Sequence, residues 1–342
     1  MTSALRAEDF VEARLLGVGC FHEVGHACRL GAIDTKITRR EILQVSAGTG
    51  AALFLNRFPA FAQSPSILTR TIPSSGEVVP AVGLGSARTF NVSESAVERA
   101  PLREVLRLFR EAGGTVFDTA PTYGTSEKVA GALVQELGIQ NELFFATKIS
   151  TRGGREAGIQ QQESSMRAWG RHIIDLNQVH NLRGVEIHLP TIREAKEEGR
   201  TRYVGVTTSF ARQFERMEQV MRSEPLDFVQ LNYSIGERQA AERLLPLAQD
   251  KGLAVMVNEP YDVGRLFRAV RGHALPQWAD EFDCKSWGQF FLKYILAHPA
   301  VTVIIPATSD PEHLIDNMGA GLGRLPDARL KKRMEQLFDG LN

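Results

Sequence analysis

From residue 81 onward the chain alternates short apolar runs with segments of helical period, and it does so eight times. The runs are Ala81–Gly85, Val116–Ala120, Phe144–Lys148, Leu176–His180, Tyr203–Thr207, Phe228–Asn232, Ala254–Asn258 and Val301–Pro306. Each is nearly continuous in apolar residues, as strands covered on both faces are. Between them, Leu102, Val105, Leu106 and Phe109 mark one helix, closed by Gly113-Gly114. Val129, Leu133 and Leu137 mark a second, closed by Gly138. Further helical segments are Ile192–Gly199, Ala211–Arg222, Ala240–Lys251 and Ser286–His298. This alternation predicts an α/β fold, a (β/α)8 TIM barrel. A doubly wound sheet is the alternative, but no Gly-x-Gly-x-x-Gly turn follows any run. Ahead of the first run, "ILTRTIPSSGEVVPAV" reads as two short strands around Ser74-Ser75-Gly76, a β-hairpin closing the barrel floor.

Composition narrows the function. Basic and acidic residues balance at 40 each, so nothing points to nucleic acid or an anionic membrane surface. Three cysteines give no disulfide framework. The segment before the barrel is more distinctive. "TRREILQVSAGTGAALFLNRFPAFAQ" carries the pair Arg39-Arg40, a short glycine-broken apolar run to Leu55, and Ala60-Phe61-Ala62 before Gln63. That is the order of a signal peptide, and the arginine pair resembles a twin-arginine export signal. The run is too short to span a bilayer, so no stable membrane insertion is expected. The reading divides the chain into 1–37 (unassigned), 38–62 (signal) and 63–342 (barrel). It predicts export to the periplasm through the twin-arginine machinery, or a cytoplasmic protein if the signal is not used. Residues 1–37 show no clear period, and the expectation is that translation starts downstream of them. Within them, His22-Glu23-Val24-Gly25-His26 has the spacing of a zinc peptidase. A zinc site also needs a third protein ligand and a packed scaffold, which so short a stretch cannot build, so no metal site is expected.

The side chains at the C-terminal ends of barrel strands converge on one mouth. Here they are Asp118, Lys148, His180, Thr207, Gln230 and Asn258, with Tyr123 just past the second strand. A lysine ending an apolar strand needs a partner or a task. Together, Asp, Tyr, Lys and His suit proton transfer to a carbonyl oxygen. Tyrosine ordinarily titrates near 10, and an ammonium nearby is expected to lower that value. The aspartate would hold the lysine charged, and a histidine N–H would orient the carbonyl. None of these groups supplies a hydride, so a cofactor must. Cys284 has only Lys285 as a basic neighbour and reads as an inert thiol.

The segments "VFDTAPTYGTSEKVAGAL", "FFATK", "DLNQVHN", "EGRTRYVGVT" and "PLDFVQLNYS" resemble the aldo-keto reductases, over essentially Ile67 to Asn317 and in the right order. The resemblance implies a (β/α)8 barrel and a catalytic tetrad at Asp118, Tyr123, Lys148 and His180, with Tyr123 as general acid. It implies NADP bound without a Rossmann domain, with NAD as the alternative. By the same resemblance, Gly85, Ser86, Gln230 and Pro260 contribute to the cofactor site. Thr207-Thr208 replaces a Ser-Asn pair, and Asn258 stands where an aromatic residue stacks on the nicotinamide, with Tyr261 close by. In "IIPATSDPEHLIDN", Thr308, His313, Asp316 and Asn317 fall on the adenosine end, but Ala307 and His313 replace the Lys and Arg that neutralise the 2′-phosphate. The expected partner is a small-molecule carbonyl compound, met by loops carrying Phe90, Asn181–Leu189 and Pro260–Trp278. A non-catalytic nicotinamide-binding sensor or accessory subunit of the cell envelope is the competing reading.

Overall fold

The computed structural model describes residues 66–341. The histidine pair of residues 22–26 and the arginine pair of the export segment lie outside them. Thr69–Thr71 (β1) and Val78–Pro80 (β2) form an antiparallel hairpin. Eight parallel strands follow: β3 (Leu84–Gly85), β4 (Val116–Asp118), β5 (Phe144–Ile149), β6 (Ile174–Val179), β7 (Thr201–Thr207), β8 (Phe228–Asn232), β9 (Ala254–Asn258) and β10 (Val301–Ile304). Neighbours in the chain are neighbours in the sheet. Bridges Val82 to Ile304 and Gly85 to Ala307 bring the last strand back to the first and close the barrel. Doing so needs glycine at 85, because a Cβ there would stand 2.8 Å from the Ile305 carbonyl oxygen.

Helices cover the outside: α1 (Ala96–Glu111), α2 (Ser126–Glu136), α3 (Arg155–Trp169), α4 (Val185–Glu197), α5 (Phe214–Ser223), α6 (Ala240–Asp250), α7 (Arg265–Ala269), α8 (Trp287–Leu296), α9 (Pro311–Gly319) and α10 (Ala328–Asp339). The α1 residues picked out by period, Leu102, Val105, Leu106 and Phe109, are all fully buried. Helix α3 has no counterpart in the sequence reading. Its buried face is Gly158, Gln162, Ser165, Met166 and Trp169, a helical spacing built largely from small and polar residues.

The barrel interior explains where chemistry can sit. Alternate residues of a strand share a face. Val116, Phe144, Leu176, Tyr203, Phe228, Met256 and Val303 point inward near the strand starts and pack with Ile72 and Val79 of the hairpin in one apolar cluster. Each such buried side chain stabilises the fold by roughly 1.5–3 kcal/mol. The hairpin is also tied through the Tyr203 hydroxyl, which donates to Glu77 Oε2 (2.6 Å) and accepts from Ser75 Oγ (2.7 Å). It closes the floor, as the sequence predicts. Continuing the same faces two residues at a time brings Asp118, Lys148, Thr207, Gln230 and Asn258 to the opposite end. The same alternation therefore makes an apolar base and a polar mouth.

Candidate active site

Lys148 is buried beneath the mouth, its side chain 0% exposed. Its Nζ donates to Asp118 Oδ2 at 2.7 Å and to the Thr119 carbonyl at 2.7 Å. Burial alone would push this lysine down, but Asp118 and Tyr123 outweigh it and hold the ammonium above its ordinary value. Asp118 in turn accepts from Gln230 Nε2 on its other oxygen, at 2.8 Å. Tyr123 lies over this pair, with Lys148 Nζ 5.0 Å from the centre of its ring. The His180 ring meets the Tyr123 ring edge-on at 5.8 Å. So the four residues converge from the ends of three strands, Asp118 and Tyr123 from β4, Lys148 from β5 and His180 from β6.

The electrostatics of Tyr123 differ from the sequence expectation. Burial, which disfavours the phenolate, outweighs the Lys148 ammonium, and the phenol is raised above its ordinary value. Tyr123 is therefore fully protonated at neutral pH, the state a proton donor needs. His180 is lowered to about 3, by burial first and then by Lys148 and Arg183, so its imidazole is neutral. Cys284 is buried and pushed up to about 12, which agrees with an inert thiol.

A protein-family model for the aldo/keto reductase family matches residues 81–335. The chain belongs to the aldo/keto reductase family. It is accordingly an NAD(P)-dependent oxidoreductase of carbonyl chemistry. It is 26% identical to aldo-keto reductase str7 of Strobilurus tenacellus, over 74% of this chain and 86% of that one. It is 24% identical to aldo-keto reductase yakc [NADP(+)] of Schizosaccharomyces pombe, over 79% of this chain and 91% of that one. Among solved structures, an aldo/keto reductase from Klebsiella pneumoniae in complex with NADP and acetate superposes with a TM-score of 0.68. That pair shares 23% identity, covering 80% of this chain and 96% of the other, which speaks for the fold.

In this reductase the tetrad opens on a cleft of about 700 Å3 at the barrel mouth. That size suits a small-molecule or cofactor site. Gly85, Ser86, Thr207, Gln230, Asn258 and Pro260 line it together with Asp118, Tyr123 and His180. Gln230 uses its amide within the protein, since Thr207 Oγ1 donates to its Oε1 at 3.0 Å while its Nε2 serves Asp118. Three residues lining the cleft leave a buried polar atom without a protein partner: Ser86 Oγ, Thr89 Oγ1 and Asn258 Oδ1. A hydroxyl and an amide oxygen left open in this way fit the carboxamide of a nicotinamide. Asn258 itself is fixed by a bond from its Nδ2 to the Thr208 carbonyl, at 3.1 Å. Thr208 is fully buried, bonded to Gln213 Oε1 at 2.5 Å.

The residues expected at the adenosine end, Thr308, His313, Asp316 and Asn317, do not themselves line this cleft. Asp316 accepts from Ser286 Oγ (2.6 Å) and Gln289 Nε2 (2.9 Å), and Asn317 accepts from the Tyr261 hydroxyl. Thr308 Oγ1 accepts from the Asp310 amide at 3.0 Å. His313 is exposed in the first turn of α9, its Nδ1 3.9 Å from Asp310 Oδ2. Phe90, expected near the substrate, is instead fully buried against Phe117 at 5.4 Å, because it faces the helix layer and not the mouth. Its neighbours Arg88, Thr89 and Asn91 line the cleft in its place. Trp278 likewise packs on Phe282 and Phe290, leaving Tyr261, Val263 and Phe267 as the cleft-facing part of its loop.

Four residues that shape the cleft around Tyr123 and His180 escaped the sequence reading. Asn91 Oδ1 accepts from the Thr125 amide (3.0 Å) and hydroxyl (3.1 Å), locking the loop that carries Tyr123. Gly124 has φ +62°, and a Cβ there would stand 2.2 Å from Asn91 Oδ1. Ser150 and Thr122 both reach His180 Nδ1. The glycine beside Tyr123 was a legible turn signal; the other three are ordinary polar residues whose role appears only once the loops meet.

Proposed function

We propose that this protein reduces an aldehyde or ketone to the alcohol with NADPH, using Tyr123 as the acid. The observation that carries the reading is the buried Lys148–Asp118 pair beneath a protonated Tyr123, with a neutral His180 edge-on to it. Bound cofactor supplies the hydride that adds to the carbonyl carbon. His180 fixes the carbonyl oxygen near the phenol. As negative charge gathers on that oxygen, the Tyr123 O–H bond breaks and its proton moves there. The phenolate left behind sits over the Lys148 ammonium, which Asp118 keeps charged, and is reprotonated from solvent. General acid help of this kind contributes about 10²–10⁴ in rate. The carboxamide would be held by Asn258 Oδ1 and Ser86 Oγ, two of the cleft atoms without partners.

NADP is favoured over NAD by the company the chain keeps. The Klebsiella structure holds NADP, and the fission-yeast relative carries NADP(+) in its name. The direct test is label transfer. With NADPH deuterated at the transferable position, the alcohol formed from a test aldehyde gains one deuterium by mass spectrometry. An unlabelled product, or cofactor binding with no turnover of any aldehyde or ketone, would point to a binding protein instead.

We also propose export through the twin-arginine route, on the strength of Arg39-Arg40, the short apolar run and Ala60-Phe61-Ala62. That route carries folded proteins, so the enzyme would leave with its cofactor in place. Fractionation of the producing cells should find a chain beginning near Gln63 in the periplasm. A protein found only in the cytosol, with residues 38–62 intact, contradicts export.

A further inference from the structure

We propose that Ser150 is a positioning residue that sets the tautomer of His180, placing the ring proton on Nε2, where it can be donated to the substrate carbonyl. The inference rests on reading the cleft as a carbonyl-reduction site, but its evidence is a count of hydrogens. Ser150 lies two residues past Lys148, just beyond the end of β5, and is 4% exposed. Its Oγ is 2.7 Å from His180 Nδ1. Its backbone N–H is already used, donating to Gln161 Oε1 at 2.8 Å, and the amide of Thr151 donates to the same oxygen at 2.9 Å. The Ser150 loop is therefore held from one side while its hydroxyl faces the imidazole.

A neutral imidazole has one N–H and one bare nitrogen, and its neighbours decide which is which. His180 is neutral, for the reasons given above. Among the described residues the Ser150 hydroxyl hydrogen has one acceptor, Nδ1. If Nδ1 carried the proton, that hydroxyl would be a buried donor with nothing to receive it, which is the costly arrangement. Ser150 therefore donates, Nδ1 accepts, and the ring proton sits on Nε2. Thr122, whose Oγ1 is 3.3 Å from the same nitrogen, is exposed and can serve water instead, so it does not reverse the assignment. Nε2 has no hydrogen-bond partner among the described residues, although His180 lines the cleft beside Tyr123. An N–H there and the Tyr123 O–H give two donors for one carbonyl oxygen. The opposite tautomer would present a lone pair and repel it.

The test is nitrogen-15 NMR of the full chain labelled at histidine, with the His180 signals identified by their loss in His180→Gln. The wild type should show Nε2 protonated and Nδ1 bare. In Ser150→Ala the His180 signals should move to a mixture or to the Nδ1–H form, with kcat on a test aldehyde down about tenfold and NADPH affinity unchanged. Ser150→Thr, which keeps a hydroxyl, should restore the wild-type pattern and most of the rate. Two results overturn the inference: a protonated Nδ1 in the wild type, or a Ser150→Ala protein whose His180 signals match the wild type. A bare Nδ1 in a wild type that reduces no carbonyl would support the tautomer assignment and remove the reductase reading.

Discussion

Removing Lys148 separates stability from chemistry at this site. The ammonium is 0% exposed and its partner Asp118 carboxylate 3%, with 2.7 Å between the bonded atoms. At an effective dielectric constant of 20, that separation corresponds to about 6 kcal/mol of gross attraction. Most of it is offset by the cost of taking both charges out of water, so the pair itself adds little net stability. Breaking it is another matter. Lys148→Met leaves a buried carboxylate whose remaining described hydrogen bond is from Gln230. One orphaned buried charge costs about 3–5 kcal/mol, which for a barrel of this size lowers the melting temperature by roughly 6–20 °C. The double variant Lys148→Met with Asp118→Leu removes the orphan and should recover most of that loss. Neither protein should reduce an aldehyde, because the phenolate of Tyr123 has lost its cation. Thermal unfolding followed by circular dichroism reads the first effect, and oxidation of NADPH reads the second. A single variant as stable as the wild type, or a stable double variant that still turns over, refutes the reasoning.

Other consequences follow from the same geometry. Gly124→Ala puts a methyl group 2.2 Å from Asn91 Oδ1 on a backbone with φ +62°, so urea unfolding should show a loss of about 1–3 kcal/mol and activity should fall; adding Asn91→Ala should return only part of the stability, since the backbone strain stays. The pH profile of kcat/KM should be level from about 5 to 8, because Tyr123 is raised and His180 is lowered to about 3, with loss only in the alkaline range as the acid ionises; a limb near the ordinary histidine value would contradict the His180 assignment. Because His180 is depressed in the fold, its share of stability is full above the ordinary value of 6.5 and is lost as pH falls towards 3. Fluorescence titration should give dissociation constants for NADPH and NADH within about tenfold of each other, a difference under about 1.4 kcal/mol, since positions 307 and 313 carry Ala and His. Converting His313→Arg should tighten NADPH several-fold and leave NADH unchanged.

Much of the fold was legible because the barrel writes itself in alternation. Phe228–Asn232 and Ala254–Asn258 coincide with β8 and β9, and the other strand runs differ from the structure only at their ends. What escaped was structure made without apolar period. Helix α3 hides its inner face in Gly158, Gln162 and Ser165; Ser165 donates to Glu127, and a Cβ on Gly131 would stand 2.0 Å from the Ala168 carbonyl. Close approach of α2 and α3 replaces apolar packing there. Helix α4 begins at Val185, ahead of the expected Ile192, with Pro190 inside it, so Val185–Leu189 of the stretch expected as a substrate loop is helical. At the site, residues on strand ends were found because the barrel brings all strand ends together. Ser150, Asn91 and Thr122 were missed because they act on another loop's residue, and no local spacing records that. The direction of the Tyr123 shift was missed for a related reason. A charge beside a phenol can be read from order along the chain, whereas burial depends on what every neighbouring loop covers.

In the proposed reaction the Tyr123 hydroxyl delivers the proton. Tyr123→Phe removes that one oxygen and keeps the ring that lies over Lys148 and against His180. Single-turnover reduction of a test aldehyde, with NADPH affinity measured on the same samples, tests it directly. The rate should be lower by about 10²–10⁴ at unchanged NADPH affinity. A Tyr123→Phe protein that reduces the aldehyde at the wild-type rate would contradict it.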